Sequence, residues 1–177
     1  MIIDLRHISH EPRRFDFTFQ PTWWQSEAVD DQIIGPDGPL TVRMTIHKEG
    51  TNYVVDGQLT GRFNVRCDRC LDPYALDLKP DFRLVLDVTS PDYGQGEYEL
   101  LQEDLSVRFI DDLHLDVEDM VREQIYLSLP IKYLCGEDCA GLCPVCGRNL
   151  NQGTCSCERE TGHPAFSKLK DLRLNED

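Results

Sequence analysis

Hydrophobic and polar residues alternate along several stretches of the first half of the chain, which is the pattern of half-buried β-strands. The alternation is clearest over residues 40–46 and returns over residues 82–88. A Pro- and Gly-containing loop is expected at residues 90–96, followed by a short strand near residues 105–110. These segments predict an antiparallel, meander-like sheet.

The region between these strands carries two glycines that interrupt the apolar pattern. Residues 53–59 and residues 62–66 each have the composition of a strand. Gly57 and Gly61 then mark bulge or turn points. We therefore expect two strands here, with Gly57 inside the first and Gly61 between the two.

After residue 116 the apolar period changes from that of a strand to that of a helix. Apolar residues recur at helical spacing from Val117 to Ile125, with Met120 and Val121 between them. Asp116 is placed to cap the helix, and Pro130 to stop it. The stripe is expected to cover the sheet as part of the core.

The predicted fold class is α+β: an antiparallel meander sheet covered by one long helix, with a C-terminal four-cysteine zinc-knuckle module. A last short helix is expected to begin near Pro164, with Phe166, Leu169 and Leu172 on one side. Residues 1–38 are assigned to an N-terminal extension packed on or beside the domain. Residues 39–134 form the sheet-and-helix core and residues 135–177 the knuckle module, all within one cooperative domain.

Composition narrows the class of protein. The chain has 177 residues and eight cysteines, well below the cysteine density of disulfide-built secreted domains, which exceeds about 8–10%. The first residues contain no apolar signal-peptide region, and no stretch is long and apolar enough to be a transmembrane helix. We expect a soluble, cytoplasmic protein in which paired thiols bind metal rather than form disulfides.

The formal net charge of −14 argues against general binding of bare nucleic acid, because such binding normally requires a basic protein surface. A basic protein partner, or RNA bound through a local basic patch, is more consistent with this charge. Residues 92–124 hold eleven acidic residues against Arg108 and Arg122. We expect these acidic residues to form a solvent-exposed face, and the alternative is an acidic docking surface for a partner.

The strongest chemical signal is Cys143-Pro-Val-Cys146-Gly147. In such a knuckle, a tight turn brings two sulfurs within reach of one ion, and Gly147 can take the positive φ that the turn demands. Cys155 and Cys157 supply a second pair a short turn away. Together these four thiols predict a self-contained zinc site.

The other four cysteines are Cys67, Cys70, Cys135 and Cys139. Pairing them gives a second all-cysteine site that ties the sheet to the segment after the long helix. Cys135 and Cys139 could instead exchange roles with Cys143 and Cys146, or one site could remain with spare thiols. An iron–sulfur cluster could use the same ligands, and Cys67 and Cys70 could form a redox pair.

No other constellation predicts an active site. The five histidines are scattered, and neither proposed metal site leaves a position open for water, so we expect a non-enzymatic protein. His163 is the one histidine that could replace a cysteine as ligand. The scattered histidines are His7, His10, His47, His114 and His163.

Basic residues flank the cysteine pairs in spite of the overall acidity. They could form a patch that meets RNA phosphates or a partner, or they could be ordinary surface charge. The patch residues are Arg62, Arg66, Arg69, Lys132 and Arg148, with Lys168, Lys170 and Arg173 as an extension.

Three strings together resemble the bacterial YceD family, whose members are named large ribosomal RNA subunit accumulation proteins. They are residues 65–71 around the first cysteine pair, Leu129-Pro-Ile131 at the helix end, and residues 141–151 from Gly-Leu-Cys to Asn-Leu-Asn. The resemblance covers most of the chain from about Leu40 onward. Residues 1–38 carry no signature of that family.

The resemblance implies a role in biogenesis of the large ribosomal subunit, through accumulation or processing of its 23S rRNA. It also suggests, as partner, the basic zinc-ribbon ribosomal protein often encoded next to family members, or a pre-ribosomal particle. Direct binding of structured RNA is the second hypothesis, and a thiol-redox or zinc-sensing protein is the third.

Overall fold

The computed structural model describes residues 1–24, 32–88, 107–110 and 112–158. It contains nine strands and one α-helix within those residues. The strands are β1 (Ile2–Asp4), β2 (Arg13–Phe19), β3 (Ile33–Pro36), β4 (Leu40–Glu49), β5 (Asn52–Arg66), β6 (Pro73–Leu78), β7 (Asp81–Asp87), β8 (Val107–Phe109) and β9 (His114–Asp116), and the helix is α1 (Val117–Ser128). Short 3-10 turns occupy Leu5–His7 and Pro21–Trp23.

The organising element is β5, a single strand of 15 residues. Its first half lies between β4 and β7, and its second half lies between β3 and β6. The expectation of two strands at 53–59 and 62–66 is therefore wrong. A Cβ atom on Gly57 would collide with the ring of Phe82, and one on Gly61 would collide with Leu40, so the glycines admit neighbouring side chains instead of breaking the strand.

The sheet order β2-β4-β5-β7-β8 is antiparallel up to its last pair. β7 and β8 are parallel, with Val85 opposite Val107 and Asp87 opposite Phe109. A wholly antiparallel meander is therefore wrong at this edge. Parallel neighbours need a long connection, and residues 88–106 supply one.

The N-terminal residues contribute strands that the sequence analysis did not assign. β1 pairs with β9 as a separate two-stranded sheet, β2 pairs along its full length with residues 40–46 of β4, and β3 pairs with the second half of β5. The division at residues 38 and 134 stays a prediction.

Helix α1 begins and ends where expected. The Asp116 carboxylate accepts hydrogen bonds from the backbone N–H groups of Glu118 (2.9 Å) and Asp119 (3.4 Å), and the helix ends two residues before Pro130. Its stripe from Val117 to Ile125 is fully buried in the main hydrophobic core.

With a helix of 12 residues, the described molecule is mainly β-sheet. A sheet covered by one long helix matches it only in part. The expected loop at 90–96 and the expected helix from Pro164 lie outside the described residues. Among the residues that are described, no helix has the length and apolarity needed to cross a membrane.

Candidate metal centres

The first group of thiols, which we call the sheet-end cluster, comprises Cys67, Cys70, Cys135 and Cys139. Their sulfurs all lie within 4.8 Å of one another. Cys67 Sγ is 3.8 Å from Cys139 Sγ, and Cys70 Sγ is 3.7 Å from Cys135 Sγ. Because a tetrahedral zinc with Zn–S bonds of about 2.3 Å has sulfur–sulfur edges of about 3.8 Å, these four thiols are spaced to hold a metal ion.

The sheet-end cluster joins two distant parts of the chain. Cys67 follows the last residue of β5, whereas Cys135 and Cys139 follow α1. Cys67, Cys70 and Cys139 are buried and pack with Tyr74 and Leu134, while Cys135 is exposed. An ion bound here would fix the end of the central strand to the segment beyond the helix.

The turn that carries Cys67 and Cys70 closes on an unusual residue. The backbone N–H of Leu71 donates to the carbonyl oxygen of Cys67 at 2.9 Å. Leu71 has φ +62°, a left-handed conformation that a leucine rarely adopts. The turn thus has the form of a metal-binding knuckle, with leucine where glycine is usual.

The second group, which we call the C-terminal cluster, comprises Cys143, Cys146, Cys155 and Cys157, whose sulfurs also lie within 4.8 Å of one another. Gly147 has φ +72°, and its N–H donates to the carbonyl oxygen of Cys143 at 2.8 Å. The turn that carries Cys143 and Cys146 therefore has the same backbone hydrogen bond and positive φ as the turn that carries Cys67 and Cys70. Cys143 is buried, Cys146 is exposed, and the remaining two are intermediate.

Backbone N–H groups stabilise thiolates in both clusters. Those of Cys146 and Val145 lower the pKa of Cys143 to about 6. Burial raises the pKa of Cys67, but the N–H groups of Cys135, Cys70 and Arg69 outweigh it and lower the pKa to about 6.

Other thiols of the same clusters keep their protons. Hydrogen bonding with Cys139 raises the pKa of Cys135 to about 12, and hydrogen bonding with Cys146 raises the pKa of Cys157 to about 12. Four thiolates cannot sit this close together without a cation. A divalent metal would therefore displace protons when it binds.

The structure brings the eight cysteines together in the two groups that their spacing predicted, and not in the exchanged arrangement of Cys135 and Cys139 with Cys143 and Cys146. No histidine belongs to either group within the described residues. His114 contacts Asp112 (3.0 Å) and His10 contacts the carbonyl oxygen of Lys48 (2.8 Å), whereas His163 lies outside the described part.

The family model of the large ribosomal RNA subunit accumulation protein YceD matches residues 55–173. The chain belongs to this family. The matched YceD region contains both cysteine clusters, β6 to β9 and α1. It begins within β5, so the strands β1 to β4 lie outside it.

In addition to the family model, two sets of individual proteins resemble the chain. A chloroplast protein of Zea mays, named large ribosomal RNA subunit accumulation protein YCED homolog 1, is 25% identical over 154 residues. The match covers 74% of this chain and 53% of the maize protein, so the chain spans about half of that relative. Uncharacterized proteins of Mycobacterium tuberculosis and Mycobacterium bovis are 24% identical over 180 residues, covering 97% of this chain and 81% of each relative. No solved structure matches.

Within the YceD region, Asp68 fixes the first knuckle to the segment before Cys135. Its Oδ2 accepts the backbone N–H of Tyr133 at 2.8 Å, and its Oδ1 accepts the side-chain amide of Gln32 at 2.7 Å. The backbone N–H of Asp68 also donates to the carbonyl oxygen of Tyr133. This role of Asp68 was not predicted from the sequence. The only signal in the sequence is the position of this acidic residue between two cysteines spaced as metal ligands.

Two asparagines of the family-like Asn-Leu-Asn string join the two clusters. Asn151 donates from Nδ2 to Cys139 Sγ at 3.3 Å and accepts the backbone N–H of Ala140 at 2.7 Å. Asn149 donates to Asp72 Oδ2 at 2.6 Å and accepts from Asn151 Nδ2 at 3.0 Å. The string was noted in the sequence, but its bridging role was missed, because spacing alone does not reveal side-chain partners.

The predicted basic patch is largely engaged within the chain. Arg62 pairs with Asp77 (2.8 Å), Arg69 donates to the carbonyl oxygens of Glu137 and Cys139, and Arg148 donates to that of Thr154. Arg66 and Lys132 are exposed and have no ion pair among the described residues. The extension Lys168, Lys170 and Arg173 lies outside the described part.

Proposed function

We propose that this chain is a non-enzymatic factor in biogenesis of the large ribosomal subunit that supports accumulation or processing of 23S rRNA in the cytoplasm. The observation that carries the proposal is the family match over residues 55–173, which includes both cysteine clusters and the helix between them. The maize relative is likewise named a large ribosomal RNA subunit accumulation protein.

Each cluster holds one zinc ion in this proposal. Zinc is supported by two sets of four sulfurs, by sulfur–sulfur distances of 3.7 and 3.8 Å, and by knuckle turns whose N–H groups face the thiolates. Four protein ligands complete a tetrahedral zinc and leave no position for a reacting water. The ions then act on structure rather than on chemistry.

The partner that we propose is a basic ribosomal protein, which the chain binds either as a free protein or as part of a pre-ribosomal particle. The net charge of −14 favours a cationic partner. Direct RNA binding through the basic patch is less favoured, because Arg62, Arg69 and Arg148 each already bind an acceptor of the chain itself. Arg66 and Lys132 remain as exposed cations that could meet phosphate.

The test is depletion of the chain in its own cell, followed by separation of ribosomal subunits on a gradient and analysis of 23S rRNA. We expect fewer large subunits, unprocessed or less abundant 23S rRNA, and rescue by the unaltered chain. Normal large subunits after full depletion would contradict the proposal.

Affinity purification with and without ribonuclease distinguishes a protein partner from an RNA partner. A basic ribosomal protein retained after ribonuclease supports protein binding, and loss of all partners supports RNA binding.

A further inference from the structure

β2 lies at an open edge of the sheet. In the part of the chain that is described, it pairs with β4 and with no other strand. The pairing runs without a shift from Arg13 opposite Ile46 to Phe19 opposite Leu40. Within those residues, the N–H and C=O groups that alternate residues of β2 direct away from β4 have no strand partner and can pair with another strand.

This edge lacks several of the devices that keep sheets from pairing with one another. Residues 13–19 contain no proline, glycine or lysine, and their pairing has no bulge. Phe15 and Phe17 are only partly buried, and their rings stack at 6.3 Å with an interplanar angle of 4°. A strand added at this edge would cover the exposed parts of both rings.

The side chains of β2 are complementary to a second copy of themselves. In an antiparallel pair centred on Phe15, Phe15 lies opposite Phe15 of the second copy. Arg14 then lies opposite Asp16 of the second copy, and the symmetry repeats this pair on the other side. Arg13, which lies 5.2 Å from the Phe15 ring in its own chain, falls opposite Phe17 of the second copy.

The neighbouring registers lack this complementarity. A shift that centres the pair on Asp16 sets two carboxylates opposite each other, and a shift that centres it on Arg14 sets two guanidinium groups opposite each other. Registers between these would place the core-facing phenylalanines opposite solvent-facing charges. One register therefore satisfies both the charges and the apolar row.

We propose that two copies of this chain associate through antiparallel pairing of β2 with β2, in the register centred on Phe15. The result is a two-fold symmetric dimer whose sheet continues across the interface. The two Arg14–Asp16 pairs select the register, and the phenylalanine row supplies the buried apolar surface.

The test uses charge reversals and sedimentation velocity over a range of concentrations, with a non-thiol reductant present to exclude disulfides. The unaltered chain is expected to dimerise. Arg14→Asp and Asp16→Arg each create two like-charge pairs and are expected to raise the dissociation constant at least about tenfold. An equimolar mixture of the two variants restores both opposite-charge pairs, so a heterodimer should form where neither variant dimerises alone.

The matched control is Arg83→Asp, which makes the same change in charge on β7, away from the open edge. It should leave dimerisation unchanged. Circular dichroism on each variant checks the fold, since Asp16 also lies 3.9 Å from Arg43. A monomer at all concentrations, or a dimer insensitive to both reversals, would overturn the proposal. Failure of the mixture to form heterodimers would overturn the register.

Discussion

The two cysteine clusters share the geometry of their knuckle turns and differ in where the chain places them. In the sheet-end cluster three thiols are buried, and the sulfurs of Cys70 and Cys135 come from positions 65 residues apart. In the C-terminal cluster one thiol is buried, and Cys146 and Cys155 are separated by a short turn. A metal ion bound by the same ligand set would therefore act as a tertiary staple in the sheet-end cluster and as a local clip in the C-terminal cluster.

The loop that each cluster closes gives a scale for the difference. Loop-closure entropy grows as about (3/2)RT ln n, so a 65-residue loop costs about 1.7 kcal/mol more to close than a nine-residue loop. A metal that closes the longer loop removes more freedom from the unfolded chain. Stability should therefore depend mainly on the sheet-end cluster.

The largest expected effect comes from Cys67→Ser, which removes a buried ligand at the end of β5. We expect the free energy of unfolding to fall by about 3 kcal/mol or more, because the staple and its packing with Tyr74 are lost together. Chemical denaturation and metal analysis measure this. Cys157→Ser is the matched control and should lose one metal ion while the sheet melts nearly as before. Equal destabilisation by the two variants would contradict the expectation that the sheet-end cluster contributes more to stability than the C-terminal cluster.

Metal removal should separate the clusters in time. A chelator reaches exposed Cys146 more easily than buried Cys67, so we expect two phases of metal release that differ roughly tenfold or more in rate. A chromophoric zinc indicator records both. The fast phase should be absent in Cys157→Ser. A single phase of two ions would instead indicate that the clusters open as one unit.

A smaller effect is expected where the clusters touch. Asn151→Ala removes the hydrogen bonds to Cys139 Sγ and to the backbone N–H of Ala140, and should cost about 1–2 kcal/mol. It should also make metal release from the sheet-end cluster faster. Gln152→Ala, which loses only a 3.4 Å contact to Asp72, serves as control. If both variants melt alike, the asparagine bridge does not couple the clusters.

The smallest effects concern the two turn residues with positive φ. Gly147→Ala places a Cβ at φ +72° and should cost about 1 kcal/mol. Leu71→Gly should change stability by less than about 0.5 kcal/mol, because relief at φ +62° offsets the entropy of a more flexible unfolded chain. Thermal melts of the two variants compare them directly. A large loss for Leu71→Gly would mean that the exposed leucine side chain makes contacts of its own.

Local signals explain what could be predicted from the sequence. Strand β4 and helix α1 follow from alternation, from the Asp116 cap and from Pro130, all of which act within a few residues. The division of the cysteines follows from their spacing, because neighbouring thiols meet most easily at one ion.

What could not be predicted depends on partners far away in sequence. The continuity of β5 rests on Phe82 and Leu40, which occupy the space over its glycines. The parallel pairing of β8 sets Val107 beside Val85, and the apolar pattern within a strand indicates neither its neighbour nor its direction. Strand β2 had a usable signal in the alternation of Phe15, Phe17 and Phe19, which the sequence analysis did not use.

The 65-residue separation within the sheet-end cluster also sets an order of events during synthesis. At about 5–20 residues per second, Cys135 is made roughly 3–13 s after Cys70. Strands β1 to β9 and helix α1 all precede Cys135 in the chain, so pairing within the sheet can begin before the sheet-end cluster is complete. A zinc ion captured early would be held by two thiolates alone. The newborn chain therefore passes through a stage in which its central strand ends in two thiols whose cluster partners have not yet been made.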